Sequence, residues 1–358
     1  MTNNKIAVLG ADGYINQIPR IKEGLRELGC IISKEFPDLI YANDSRGYEE
    51  ALVLKKKYPS AYLIFNFLDI PWHHPNIKRQ TELLVKHFLL KADVVTAISH
   101  KVKEDLAKFL NKEIQVIYNP AKDVFYDENI KKNNMFLYVG RANDPVKRFF
   151  LVRESLKKIK NELKNIKICG SENPGVGNYL GVVLDNELNR LYNSSKYVLL
   201  PSKNEGIGLS MIEGMICGSI PITCSDNLTA KEFSPANFIC EPNALSIVNK
   251  VEELEKSYEK NRKIALEFGA KYKVQFGKKN IAQNIINIFN SKLKNTKNNL
   301  SEELYNEIEQ AVKNLGDSLP TKRSGKPLSL DSVDQEIKEI NFMSQQIGIP
   351  TPPEKEES

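Results

Sequence analysis

The chain has little of what metal and redox chemistry require. It holds four histidines and five cysteines in 358 residues. The cysteines (Cys30, Cys169, Cys217, Cys224, Cys240) are odd in number and form no C-x-x-C pair. That argues against a disulfide framework and a zinc ribbon, and for reduced, mostly buried thiols in a cytoplasmic protein. Cys217 and Cys224 flank one turn, yet no histidine stands near them in sequence, so no metal site is expected there. No stretch approaches the ~18 consecutive apolar residues that span a bilayer, so no transmembrane segment is expected. The start, Met1-Thr-Asn-Asn-Lys-Ile-Ala-Val-Leu9, lacks the apolar core and cleavage site of a secretory signal. The glycines of Gly10-Ala-Asp-Gly13 lack the third member of G-x-G-x-x-G, which disfavours a dinucleotide-dependent oxidoreductase.

What is present is ordinary in amount and uneven in placement. Hydrophobic content of 41% and charged content of 27% fit a globular protein. The length favours two domains over one. The net charge of +6 hides an asymmetry: Ser301 to Ser358 holds twelve acidic and six basic residues, so the first 300 residues carry +12. A basic body suits an anionic partner, whether a nucleotide sugar, an anionic membrane surface or nucleic acid. A peripheral place on the inner face of a membrane is compatible with that charge.

The apolar pattern alternates strand and helix twice. In the first half, Lys5–Leu9, Ala61–Phe67, Ala92–Ile98 and Ile114–Tyr118 read as strands. Helical patterns end near Gly29 and cover Tyr48–Lys57, Lys78–Lys91 and Lys101–Phe109. Lys131–Asn134 is a polar linker. Strands then return at Met135–Val139, Ile166–Cys169, Tyr197–Leu200 and from Pro221. Helices are expected over Lys147–Glu162, Asn186–Ser194, Ala244–Ser257, Asn261–Ala270 and Lys279–Phe289. Expected domains are 1–132 and 133–278, with a helix at about 279–293 returning to the first. A tail over 295–358, helical in part and disordered in part, completes the chain.

The most informative segment is Pro201-Ser-Lys-Asn-Glu205-Gly-Ile-Gly-Leu-Ser-Met-Ile-Glu213, which runs on to Gly218-Ser-Ile-Pro221. A buried strand, a loop with two glycines, a short helix and a further strand aim backbone N–H groups and a helix dipole at an anion. Two carboxylates there would repel phosphate itself. They suit hydroxyl groups attached to it, the pattern of a diphosphate flanked by a ribose and a hexose.

This segment resembles the donor-site signature of GT-B glycosyltransferases of the large retaining class called family 4. The resemblance implies two Rossmann-like doubly wound parallel-sheet domains with a cleft between them. It implies that Glu205 meets the transferred sugar and Glu213 the ribose. The backbone of Ile207, Gly208 and Leu209 would meet the sugar and diphosphate. Gly140-Arg141 and Lys147 match a further family stretch, so Arg141 and Lys147 are assigned to the diphosphate, whose charge they would neutralise. Arg148 stands where the family usually has glycine. A basic helix start facing water would be poor electrostatics without an anion. Val182 matches the nucleobase contact, and Gly10 and Gly13 the loop across from the donor. Asp69 is the first candidate on the acceptor side and His73 the second; two surface histidines and a turn aspartate remain an equal alternative.

The implied activity is transfer of a hexose, with retention and without a metal, from a UDP- or GDP-linked sugar. No separate cofactor is implied. No D-x-D motif stands in a donor-like position, and Asp331-Ser-Val-Asp334 has the wrong spacing. The acceptor (glycan, lipid or protein) is not identified. Two rivals remain: a phage-type glucosyltransferase that modifies DNA, and a non-catalytic module that binds a nucleotide sugar.

Overall fold

The structure is a computed structural model that describes residues 4–10, 17–43, 45–68, 85, 88–159 and 165–293. Contacts divide the chain into two compact units. Among the described residues, the first takes those up to Asp123, Glu205–Ile207 and those from Lys271 to Leu293; the second takes those from Val124 to Asn204 and from Gly208 to Ala270.

The first unit holds a six-stranded sheet in the order β2-β1-β3-β4-β5-β6. Its strands are β1 (Lys5–Leu9), β2 (Ile31–Ile32), β3 (Leu39–Ala42), β4 (Tyr62–Phe67), β5 (Val94–Ala97) and β6 (Ile114–Val116). Every pairing is parallel. The sequence of β4, Tyr-Leu-Ile-Phe-Asn-Phe, is buried along its whole length. A parallel strand covered on both faces reads as such a continuous run, without alternation. The described helices of this unit include α1 (Gln17–Glu27), α2 (Ser45–Lys57) and α3 (His100–Ala107), the last capped by Ser99 accepting from the Val102 N–H at 3.2 Å. The chain's last described helix, Lys278–Leu293, packs on α1. Ile281, Ala282, Ile285 and Phe289 join Ile6, Val8, Ile21 and Leu25 in one core.

The second unit holds another six-stranded parallel sheet, ordered β12-β11-β10-β7-β8-β9. Its strands are β7 (Asn134–Val139), β8 (Ile166–Cys169), β9 (Asn178–Gly181), β10 (Ser195–Leu200), β11 (Ile220–Cys224) and β12 (Ile239–Cys240). Numbered within the unit, this is the 3-2-1-4-5-6 order of nucleotide-binding folds, and the order reverses between β7 and β10. Helices α4 (Phe149–Lys158), α5 (Asp185–Ser194), α6 (Leu209–Ile216) and α7 (Leu228–Phe233) connect the strands, and α8 (Ala244–Glu255) follows β12. Tyr138, Tyr192, Tyr197, Phe136, Phe233 and Phe238 fill the interior.

The doubly wound reading of both halves agrees with this architecture. Local boundaries differ. The helix expected from Lys147 starts at Phe149 instead, because Pro145–Lys147 forms a tighter 3₁₀ turn and Arg148 leaves helical geometry. The described end of the helix expected over Lys78–Lys91 is likewise a 3₁₀ turn, Leu89–Lys91. Strand β9 and helix α7 were not expected; both are short and lack a clear apolar period. Expectations for Gly13, Asp69, His73 and the tail after Asn295 fall outside the described residues.

Candidate functional site

In doubly wound sheets, ligands sit beyond the carboxyl ends of the strands where the strand order reverses. In the second unit that place belongs to the loops after β7 and β10. The sequence puts Gly140, Arg141 and Lys147 on the first loop and the Gly-rich segment on the second. A backbone hydrogen bond from the Lys203 N–H to the Val146 carbonyl, 2.9 Å, ties the two loops together. The loop after β11 joins them. Asn227 Nδ2 donates to the Ser202 carbonyl at 3.1 Å, and the Arg148 guanidinium grips Asp226 with two bonds of 3.0 and 2.5 Å.

The first loop is organised by Asp144. Its Oδ1 accepts from the Val146 N–H at 2.9 Å and so caps the turn Pro145–Lys147. Its Oδ2 pairs with the Arg141 guanidinium. Burial works against the carboxylate, but the bonds from Arg141 and Val146 and the charges of Arg141 and Lys147 outweigh it. Its pKa is held below the usual carboxylate range. The Nε of Arg141 is buried and has no partner. Arg141 is thus held beside the loop by protein rather than extended into water, and Lys147 ends the turn that Asp144 caps.

Arg148 answers the question raised by the missing glycine. It adopts the left-handed conformation, φ 49° and ψ 41°, that a glycine would take there. For a residue with a Cβ this costs roughly 1–2 kcal/mol. The Asp226 pair offsets it. The anion expected near this basic helix start is therefore in part a protein carboxylate, and charge at Arg148 is no argument for a ligand.

On the second loop, helix α6 begins after Gly208, whose φ of 78° and ψ of 50° suit glycine alone at little strain. Gly206 is fixed by space: a Cβ there would lie 2.8 Å from Ile98 Cδ1, within the first unit as contacts divide the chain. Glu205 is half-buried, and Ile207 is buried. Glu213 is the fifth residue of α6 and only 7% exposed. Its Oε2 accepts from the hydroxyl of Tyr192, on α5, at 3.0 Å. Burial, then the Glu213 charge, push the Tyr192 phenol far above its ordinary pKa, so it remains a donor.

The structure thus gathers Gly140, Arg141, Lys147, Gly208, Leu209 and Glu213 at one end of one sheet. Val182 follows β9, at the far edge of the same sheet, and is exposed. Gly10 follows β1 in the first unit. Sequence reasoning missed Asp144, Asp226 and Tyr192. The Asp144-Pro145 pair was a visible capping signal. Nothing in the sequence marks Tyr192, which faces Glu213 only through the packing of α5 beside α6. Among the described residues no group of histidine, cysteine and acidic side chains is arranged to hold a metal. Among them no helix is long and apolar enough to cross a membrane.

A family model described as glycosyl transferases group 1 matches residues 122–267. The chain is 30% identical over 161 residues to the O-antigen chain mannosyltransferase RfbU of Salmonella typhimurium, covering 39% of this chain and 45% of that protein. It is 27% identical over 213 residues to the uncharacterized glycosyltransferase MJ1178 of Methanocaldococcus jannaschii, covering 52% and 57%. The chain therefore spans about half the length of these relatives. Among solved structures, HepE of Anabaena in complex with UDP and glucose aligns with a TM-score of 0.63 at 16% identity, over 80% of this chain and 100% of that one. Sucrose-phosphate synthase of Thermosynechococcus elongatus aligns at 0.65 and 13%, over 82% and 100%. Residues 122–267 thus resemble the glycosyl transferases group 1 family, and the fold is that of the GT-B glycosyltransferases.

Proposed function

We propose that the chain is a retaining, metal-independent glycosyltransferase that moves a hexose from a UDP- or GDP-linked donor to an acceptor hydroxyl. One observation carries this reading. Two basic residues on the loop after β7 and a buried carboxylate in the helix that follows the loop after β10 stand where the second sheet reverses its strand order. Cations there match a diphosphate, and a carboxylate beside them matches a sugar diol. The named activity of the mannosyltransferase relative and the UDP and glucose in the HepE complex support the same class of donor.

In this reading Arg141 and Lys147 hold the diphosphate and stabilise it as the bond from the anomeric carbon to the β-phosphate oxygen breaks. The acceptor oxygen forms its bond on the same face. Its proton passes to the departing phosphate oxygen. Glu213 accepts from the ribose hydroxyls, and Glu205 faces the hexose. The protein's cations supply the charge that a divalent ion supplies elsewhere.

Hydrolysis of a panel of UDP- and GDP-hexoses without acceptor, with and without excess EDTA, tests the proposal. One donor should be cleaved, equally in both conditions. Removing a charge-assisted phosphate contact costs ~1.5–3 kcal/mol. Arg141→Ala and Lys147→Ala should therefore each weaken nucleoside-diphosphate binding by about tenfold or more in calorimetry. Unchanged affinity in both variants removes the donor site, and turnover that EDTA abolishes and metal restores removes metal independence.

A further inference from the structure

We infer that Tyr192 is a positioning residue for the nucleotide: its hydroxyl fixes the Glu213 carboxylate in the one orientation that accepts the ribose hydroxyls. The inference rests on the proposed role of Glu213 and goes beyond it, because Tyr192 itself meets no ligand.

Glutamate has three side-chain torsions, and ordering them costs binding free energy if the ligand must do it. A carboxylate ordered beforehand spares the ligand that cost. The geometry around Tyr192 provides such ordering. The ring is fully buried and stands edge-on to Phe125, centroids 5.5 Å apart at 82°. Its hydroxyl reaches Glu213 Oε2 at 3.0 Å. Its own backbone is held as well. Ser219 Oγ lies 2.6 Å from the Tyr192 carbonyl, and Lys132 Nζ donates to the same carbonyl at 3.2 Å. Lys132 Nζ also donates, at 2.7 Å, to the carbonyl of Cys217, which caps the helix that carries Glu213. One ammonium therefore ties the ends of both helices, and the phenol–carboxylate bond has a fixed frame on each side. A buried tyrosine needs only one partner for its hydroxyl. This one has been given a carboxylate on the helix at the proposed donor site, where a backbone carbonyl would have served for stability alone.

The test is ribose discrimination. UDP and 2′-deoxy-UDP, and the guanine pair if the protein prefers guanine, are titrated calorimetrically into the wild type, Tyr192→Phe and Glu213→Gln. The wild type should prefer the ribonucleotide by tenfold or more. Tyr192→Phe should bring the two affinities within about threefold of each other while the deoxynucleotide affinity stays near its wild-type value. Placing 4-aminophenylalanine at 192, which returns an N–H donor to the same spot, should restore the preference and also serves if the Phe variant does not fold. A wild type without preference removes the reading of Glu213, and this inference with it. A preference lost in Glu213→Gln but kept in Tyr192→Phe overturns the inference alone. An equal loss of both affinities in Tyr192→Phe also overturns it, since that is the signature of a structural role.

Discussion

Each sheet has six strands, all paired in parallel, but their carboxyl ends are furnished differently. Among the described residues of the first unit, four polar side chains there are turned inward and bonded in a chain. Thr96 Oγ1 donates to Asn66 Oδ1 at 2.7 Å, Asn66 Nδ2 donates to Asn43 Oδ1 at 2.8 Å, and Tyr48 donates to the Asn66 carbonyl at 2.8 Å. All four residues are buried. In the second unit the corresponding end carries Arg141, Lys147, Arg148 and Glu213 on loops and a helix start. Neutral amides buried in a closed chain specify packing. Of the charged residues, Arg148 is paired with Asp226, and Arg141, Lys147 and Glu213 stand beside the reversal of strand order, the place a ligand takes in such sheets. The difference teaches that one architecture serves as scaffold at one edge and as candidate site at the other.

The sharpest way to break this comparison is to exchange the consequences. Asn66→Leu should strip a donor from Asn43 and an acceptor from Thr96, costing about 3 kcal/mol of stability in denaturant unfolding. Nucleoside-diphosphate affinity, measured under native conditions, should stay within twofold. Lost affinity with intact stability would show that the first edge holds part of the donor site.

Glu213→Gln should do the reverse. The amide still accepts from Tyr192, so the melting temperature should fall by only a few degrees. Loss of the charge should weaken UDP or GDP by about tenfold, near 1.4 kcal/mol. Equal affinity for wild type and variant would place the ribose elsewhere.

How much of this was legible beforehand follows from the same contrast. The fold was legible because strands such as β4 and β10 are continuous apolar runs, and parallel strands buried on both faces must be. The candidate site was legible where unusual residue types cluster: glycines at Gly206 and Gly208, cations before a helix, a carboxylate inside an apolar helix. Its supports were hidden. Tyr192 reaches Glu213 across 21 residues of sequence, and Asp226 reaches Arg148 across 78. Neither pairing has a local signature, because each depends on which strands become neighbours. The amide chain Asn43–Asn66–Thr96 was hidden for the same reason.

Arg148 separates strain from charge within the second loop. Arg148→Ala removes the Asp226 pair and keeps a Cβ at φ 49°. Arg148→Gly removes the pair and the strain together. Glycine should therefore be the more stable variant by about 1 kcal/mol in urea unfolding. Alanine at least as stable as glycine would mean that the left-handed geometry at 148 is not strained. Both variants should still bind the nucleoside diphosphate, since Arg148 is spent on Asp226.

Lys132 gives the smallest effect. It is a charge in the second unit that should behave as the first unit's amides do, affecting stability and not binding directly. Burial, and next the nearby Arg262, lower its pKa from 10.5 to about 8. The unfolded chain then binds more protons than the folded one between pH 8 and 10.5, so this group's contribution to stability rises with pH across that window. Cys217 beside it is pushed up to about 12, chiefly by burial, and acts in the opposite sense above pH 9. The clean interval is pH 8 to 9. There the stability of the wild type minus that of Lys132→Met should increase by about 1 kcal/mol, with Met serving as a neutral reference of similar length. The two proteins should be followed by denaturant unfolding in matched buffers. A flat difference would mean that Lys132 keeps an ordinary pKa and that its two carbonyl bonds are made by a fully solvated ammonium. A falling difference would mean that the folded state binds the proton more tightly than the unfolded one. In that case the ends of α5 and α6, rather than burial, would dominate the electrostatics beneath Glu213.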